Sequence, residues 1–243
     1  MTRLYLYIPF IICFLCSCKH SYHIDGAVAT SFMNGNKLYL KTFKEKGWVI
    51  KDSADITHGK FQFSGIVDST ELVSLFIDNI NIMPIVIEPG KVHVSLTESN
   101  IEASGTKCND ALYQFIKKRN HLEMKLDELD QKRISMIMNG ANIREANEVF
   151  DLERNRLLEE MDSYTEQTIY KHMDNILGVT LFITVCELLP YPMLTPEVKR
   201  ILSKAPRSFK NHQLVKEFLY LAGENQHFVD EFQQFNQQVL FPN

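Results

Sequence analysis

Past residue 18 the sequence has no Cys-x-x-Cys pair, and nowhere does it contain His-Glu-x-x-His, Gly-x-Ser-x-Gly or a glycine-rich phosphate loop. The first absence removes the two-cysteine loop of thiol-disulfide exchange, and the second a zinc-protease helix. The third removes the nucleophile elbow of a serine hydrolase, and the last a nucleotide cradle. Positive charge is also scarce: 26 Lys and Arg stand against 30 Asp and Glu, a net of −4. No basic field is present to hold nucleic acid, which is not an expected partner. The eight histidines are scattered, and although His227 and Glu231 stand four apart in a helical pattern, two ligands do not make a zinc site. Glu123, Asp127 and Asp130 share one side of a helical stretch and read as a solvated face, since nothing near them would raise one carboxyl. No catalytic residue, metal ligand or cofactor is assigned.

The clearest signal lies at the amino terminus. Arg3 precedes an apolar run from Leu4 to Leu15, which reads as a secretory signal. It is too short for the roughly 20 residues of a membrane span, and Pro9 interrupts it. Leu15-Cys16-Ser17-Cys18 is a lipobox. It offers an aliphatic residue three places before Cys18 and a small residue just before it, whereas Cys16 follows bulky Leu15 and Cys13 follows Ile12. Cleavage after Ser17 and lipidation of Cys18 are expected, with membrane attachment through two or three acyl chains. Lys19 is not the aspartate that favours inner-membrane retention, and Lys19-His20-Ser21 lacks an acidic surface-display cluster. The expected location is the cell envelope, on the periplasmic face of the outer membrane. Removal of residues 1–17 of 243 leaves 226, with Arg3 gone and a net charge of −5, enough chain for one large or two small domains.

From residue 18 to 104 apolar and polar residues alternate in short runs broken by turn residues, the period of half-buried strands. Strands are expected near 22–28, 37–43, 49–56, 60–66, 72–77, 84–87, 92–96 and 101–103, forming an antiparallel β-sandwich or barrel-like sheet. Asn34-Gly35, His58-Gly59 and Pro89-Gly90 supply its turns. The connection between Ile56 and Phe61 is the clearest hairpin. Phe61 and Phe63 share one face, and Gly65 allows a bulge or a close backbone approach.

At Gly105 the period becomes helical and holds to residue 243, so the fold class is α+β with an all-helical second domain (105–243). Leu112, Phe115, Ile116, Leu122, Leu126 and Leu129 make one stripe with a longer gap at Arg119, on a helix starting near Asn109. After a break at 139–142, Ile143, Ala146, Phe150, Leu157, Met161 and Tyr164 make a second stripe, and the two helices should close into a long αα-hairpin. An almost wholly apolar helix over 176–189 follows, ended by Pro190 and Pro192. Thr195-Pro196-Glu197 is a strong start for a helix over 197–203. Two more helices are expected at 211–222 and 225–239, separated by Gly223, the second with Phe228, Phe232, Phe235 and Val239 as its apolar positions. Cys108 and Cys186 both sit in apolar helical contexts, which suits a bridge between them or two buried thiols equally. Cys108 lies at a helix start, whose positive end would lend it some thiolate character.

Asp52-Ser53-Ala54-Asp55-Ile56, Gly59-Lys60-Phe61-Gln62-Phe63-Ser64-Gly65, Glu88-Pro89-Gly90 and the stretch 105–109 together resemble a known family in their order and spacing. This is the amino-terminal domain of unknown function 4369, found before thioredoxin-fold domains in many envelope lipoproteins of Gram-negative bacteria. In such proteins the redox chemistry belongs to the following domain and its Trp-Cys-x-x-Cys. Here the one tryptophan is Trp48, inside the β region, and the chain stops at Asn243, so the resemblance implies the accessory half alone. The expected function is that of a noncatalytic envelope lipoprotein binding an unknown protein or small ligand. Two alternatives stand beside it: an accessory partner of a separate thioredoxin-fold oxidoreductase, and an enzyme with an unrecognised site.

Overall fold

A computed structural model describes residues 20–29, 36–44, 47–97 and 100–240, apart from the side chains at 145–146 and 229–240. The signal, Cys18 and the Asn34-Gly35 turn lie outside the described residues. Eight strands come first: β1 (Ser21–Val28), β2 (Lys37–Lys44), β3 (Gly47–Asp55), β4 (Lys60–Ile66), β5 (Glu71–Ile77), β6 (Ile80–Ile87), β7 (Gly90–Leu96) and β8 (Ile101–Ser104). Helices α1 (Lys107–Met138), α2 (Ile143–Lys171), α3 (Ile176–Glu187), α4 (Pro196–Lys204), α5 (Arg207–Lys210) and α6 (Gln213–Leu240) complete the chain. The strands form two four-stranded sheets, ordered β4-β1-β7-β8 and β3-β2-β5-β6, in a β-sandwich followed by the helical region.

The alternation that identified the strands also sets the sandwich core. Tyr22, Ile24, Phe61, Phe63, Val92 and Val94 point inward from the first sheet, and Leu38, Leu40, Val73, Leu75 and Ile85 from the second. Glycines make room for the aromatics: a Cβ on Gly26 would lie 2.1 Å from the Phe61 ring, and one on Gly65 would lie 2.7 Å from the Tyr22 ring. The close approach expected at Gly65 is therefore an aromatic ring laid over the strand.

Three features of the sandwich depart from the sequence reading. The β1–β7 pair is parallel, with Ile24 opposite Val92, whereas the other strand pairs are antiparallel. Period two marks which residues face the core and carries no information about strand direction. The turn at His58 (φ 50°) and Gly59 (φ 69°) forms as expected, closed by hydrogen bonds between Thr57 and Lys60 of 2.9 and 3.0 Å. The strands it joins then part company, β3 to one sheet and β4 to the other. β6 also begins four residues earlier than read, because Pro84 lies on an edge strand where a missing N–H is tolerated.

On β5 and β6 both faces are buried, as Val73 to Phe76 and Ile85 to Ile87 show, because the helices pack on the far side of their sheet. One hydrophobic cluster runs from Tyr22 through Phe115, Leu181 and Phe182 to Ala222, so sheets and helices share a core. The αα-hairpin is present. Its inner end stacks Phe115 on Tyr164 at 5.7 Å, and its middle is a second cluster of Leu122, Leu126 and Leu157. The gap at Arg119 holds that buried arginine, which donates to Thr165 Oγ1 at 2.5 Å and lies 3.7 Å from Glu197. Ile143, assigned to the second stripe, is instead exposed near the hairpin tip.

Caps follow the sequence closely: Asn142, Asn175 and Thr195 accept from the first-turn N–H groups of α2, α3 and α4. At the carboxyl end the expected break fails, since α6 runs unbroken through Gly223. A helical glycine costs about 1 kcal/mol relative to alanine. Buried Phe218 and Ala222 before it, and an Asn225 Nδ2 bond to the Pro192 carbonyl at 2.8 Å after it, hold the helix across that position. The helix starts at Gln213 because the preceding residues form the short α5, which buries Phe209 against Phe182. Phe228 on α6 is 70% exposed rather than packed.

Candidate functional site

The sequence motifs converge where β6 and β7 meet α1. Asn109 accepts from the Val86 N–H at 3.0 Å and donates to the Val86 carbonyl and Thr106 Oγ1, both at 2.8 Å. Glu88 Oε1 accepts the Cys108 N–H at 2.7 Å, and Tyr113 donates to the Pro84 carbonyl at 2.9 Å. Gly105 takes φ +100° and crosses so close to Lys91 that a Cβ would lie 2.6 Å from its carbonyl oxygen. These groups clasp the helix onto the edge of the sheet. Every polar atom named is spent on that joint, so it is architecture.

The clasp also decides the chemistry of Cys108. Burial, then the charge and hydrogen bond of Glu88, push its thiol up to about 11. The thiolate character expected at this helix start is not found, because burial disfavours the charged form and the carboxylate takes the first-turn N–H and opposes a second negative charge. Cys186 is buried and its thiol is likewise raised, by burial and then by Glu197 and Glu187. Both cysteines are free thiols.

A cleft opens where the helical layer ends short of the sheet margin. Its floor is Phe43 of β2 and Trp48 of β3, and its far wall is Leu214, Phe218 and Leu221 of α6. Ile183, Cys186 and Glu187 of α3 and the Leu189-Pro190-Tyr191-Pro192 segment close the third side, around a volume of about 340 Å³. Trp48 stands edge-on to Phe43 at 5.4 Å and to Phe76 at 5.1 Å, which fixes its ring, yet it remains 41% exposed. The cleft is apolar with two carboxyl groups, Glu187 and Glu217. Glu187 is open to solvent at the mouth, but the apolar walls desolvate its carboxyl and raise its pKa. A cleft of this size and lining suits ligand binding. Cys186 and Glu187 stand side by side in its wall, but burial holds the thiol in its neutral form.

The remaining titratable residues fall as their sequence context suggests. His93 faces outward from β7 and meets Asp25 at 3.0 Å. Asp130 pairs with Arg154 at 2.7 Å, and Glu123 lies 3.8 Å from Arg119, so these carboxylates serve the hairpin surface. The side chain of Glu231 lies outside the described residues. Among the described residues no three His, Cys, Asp or Glu gather to hold a metal ion, and no helix is long and apolar enough to cross a membrane. Sequence reasoning missed the cleft. The only sign of it was a charged Glu187 and two prolines closing an otherwise apolar helix.

Residues 22–112 match the family model described as domain of unknown function (DUF4369). The match runs from β1 to the first turns of α1, so it contains the sandwich, the cleft floor and all of the clasp except Tyr113, and leaves out the helical wall. No curated protein and no solved structure matches the chain.

Proposed function

We propose that this chain, a DUF4369 domain over residues 22–112 with a helical layer packed on it, is a noncatalytic cell-envelope lipoprotein. Lipid on Cys18 holds it to the periplasmic face of the outer membrane, and it binds a protein or ligand in the cleft between β2–β3 and α3–α6. The observation that carries the reading is the cleft itself: aromatic and aliphatic groups around a fixed tryptophan, with the Cys186 thiol in its wall buried and held neutral. The raised thiols, and the lack of a Cys-x-x-Cys past residue 18, argue against exchange chemistry by Cys108 and Cys186.

The test is photocrosslinking in intact envelopes. A photoreactive residue at Leu221 should give a defined adduct, and the same residue at exposed Lys60, on β4 of the opposite sheet, should not. Equal adducts at both positions, or none at Leu221, would overturn the assignment of the cleft. A thioredoxin-fold protein in the Leu221 adduct would make the chain that oxidoreductase's accessory partner.

A further inference from the structure

We infer that the cleft takes the guanidinium or ammonium of an arginine or lysine side chain, presented by an extended apolar segment of a partner protein. This rests on the binding reading above and names the chemistry of the partner.

Charge complementarity comes first. Two carboxyl groups line the cleft, Glu187 at the end of α3 and Glu217 on α6, and no lysine, arginine or histidine lines it among the described residues. Neither carboxyl has a salt-bridge partner among the described residues. Lys41, on β2 two residues before Phe43, is already engaged: its ammonium lies 4.3 Å from the Phe76 ring centre and donates to the Asp78 carbonyl at 2.9 Å. On the hairpin, by contrast, Asp162 and Glu166 share Arg200. The cleft carboxyls are left for an incoming group.

The rest of the lining fits the same guest. Trp48, Phe43 and Tyr191 offer aromatic faces, which attract a cation most when it is partly desolvated. Their apolar neighbours suit the methylene stem of a long basic side chain. The rim extends the fit beyond one side chain, since Tyr191 in the lining is half exposed and Ile50, two residues along β3 from Trp48, is 57% exposed. β3 is the last strand of its sheet, so its outward backbone groups pair with no further strand among the described residues. An extended segment can add along such an edge while one side chain enters the cleft beside Trp48.

Trp48 is the single tryptophan of the chain, so its fluorescence reports occupancy directly. The full-length protein in a nonionic detergent is titrated with blocked Leu-Val-Arg-Val-Leu, with the same peptide carrying citrulline or glutamate at its centre, and with N-butylguanidinium. The arginine peptide should give a saturable change, at least tenfold tighter than the citrulline peptide. Glu187→Gln/Glu217→Gln should bring its affinity down to the citrulline level. The titratable groups lining the cleft are Cys186 and Glu187 of α3, Tyr191 after it and Glu217 of α6; β2 and β3 bring none. Affinity for arginine should therefore rise with pH from 4 to 7 as Glu187 ionises, and affinity for citrulline should stay flat. Equal affinity for arginine and citrulline would overturn the charged guest while leaving the cleft a binding site. N-butylguanidinium binding as tightly as the peptide would overturn the polypeptide source. No saturable change with any probe would overturn the inference, and the Leu221 crosslink decides separately whether the cleft binds a partner at all.

Discussion

Glu88 Oε1 accepts the backbone N–H of Cys108 at 2.7 Å, across the joint between the sheet and α1. The positive end of the helix is thereby met by a carboxylate, and the adjacent thiol is disfavoured as a thiolate. With that thiol pushed up to about 11, its thiolate fraction at neutral pH falls on the order of 100-fold below that of an ordinary cysteine. Iodoacetamide should label Cys108 slowly at pH 7.5 and progressively faster toward pH 11, and Glu88→Gln should move that profile to lower pH. Insulin reduction with dithiothreitol should be no faster with the wild type than with Cys108→Ser/Cys186→Ser. A fast-reacting Cys108 at neutral pH, or turnover lost in the double variant, would contradict this account.

The hairpin gives a stability test with two different signatures. Leu126 is buried with Leu122 and Leu157, so Leu126→Asp places an unpaired charge in that seam and should cost several kcal/mol, about 3 or more. Arg119 is buried between Thr165 and Glu197. Arg119→Met alone leaves Glu197 without its cation and should cost about 3 kcal/mol. Arg119→Met/Glu197→Leu should recover much of that loss, because the desolvation of both charges goes with the pair. Urea denaturation read by far-UV circular dichroism measures all three. Additive losses in the double variant would show that the two residues are not coupled.

Which parts of this could be read from the chain follows from what periodicity encodes. The eight strands, the αα-hairpin and the Thr195 cap were legible because each rests on local spacing or one capping residue. The direction of β7, and the parting of β3 from β4, depend on which sheet a strand joins, and no local pattern records that. Gly223 misled for a related reason: its cost is local, and the contacts that outweigh it, from Phe218, Ala222 and Asn225, lie in the tertiary fold. The motifs from Glu88 to Asn109 were legible as architecture, though not as one clasp. The cleft was not legible as a cleft, since Glu187 and the prolines after it marked only the end of an apolar helix. Its walls come from residues more than a hundred positions apart, and the exposure of Trp48 is set by where the helical layer stops.

The proposed lipid anchor is tested without reference to the fold. Cys18 alone among the amino-terminal cysteines has both the aliphatic and the small residue that lipidation requires. Cys18→Ala should abolish metabolic labelling with palmitate and leave the unprocessed precursor, and Cys16→Ala should change neither. Normal labelling of the Cys18 variant would remove the lipoprotein assignment. Fractionation of the wild type on a sucrose gradient, with the protein in the dense outer-membrane band, tests the location.

The last prediction concerns the pH dependence that the cleft imposes on the fold itself. Apolar walls raise the pKa of the Glu187 carboxyl above its ordinary 4.5 in the folded chain, whereas the unfolded chain restores the ordinary value. The folded state therefore binds the proton more tightly. Its contribution to stability is fully present below about pH 4 and is lost as pH rises through the raised folded value. Above that value the ionised carboxylate is a burden that the free protein bears, and that an incoming cation would relieve. Glu187→Gln removes the titration while keeping the shape. It should raise the thermal midpoint at pH 7, by a modest amount because the residue is open at the mouth of the cleft, and should change it little at pH 4. Glu197 is raised for the same first reason, with Arg119 opposing, so the comparison is made between Glu187→Gln and wild type at each pH rather than on the wild-type profile alone. A gain at pH 4 as large as that at pH 7 would show that the variant acts through packing, and that Glu187 carries no desolvated charge in the empty cleft.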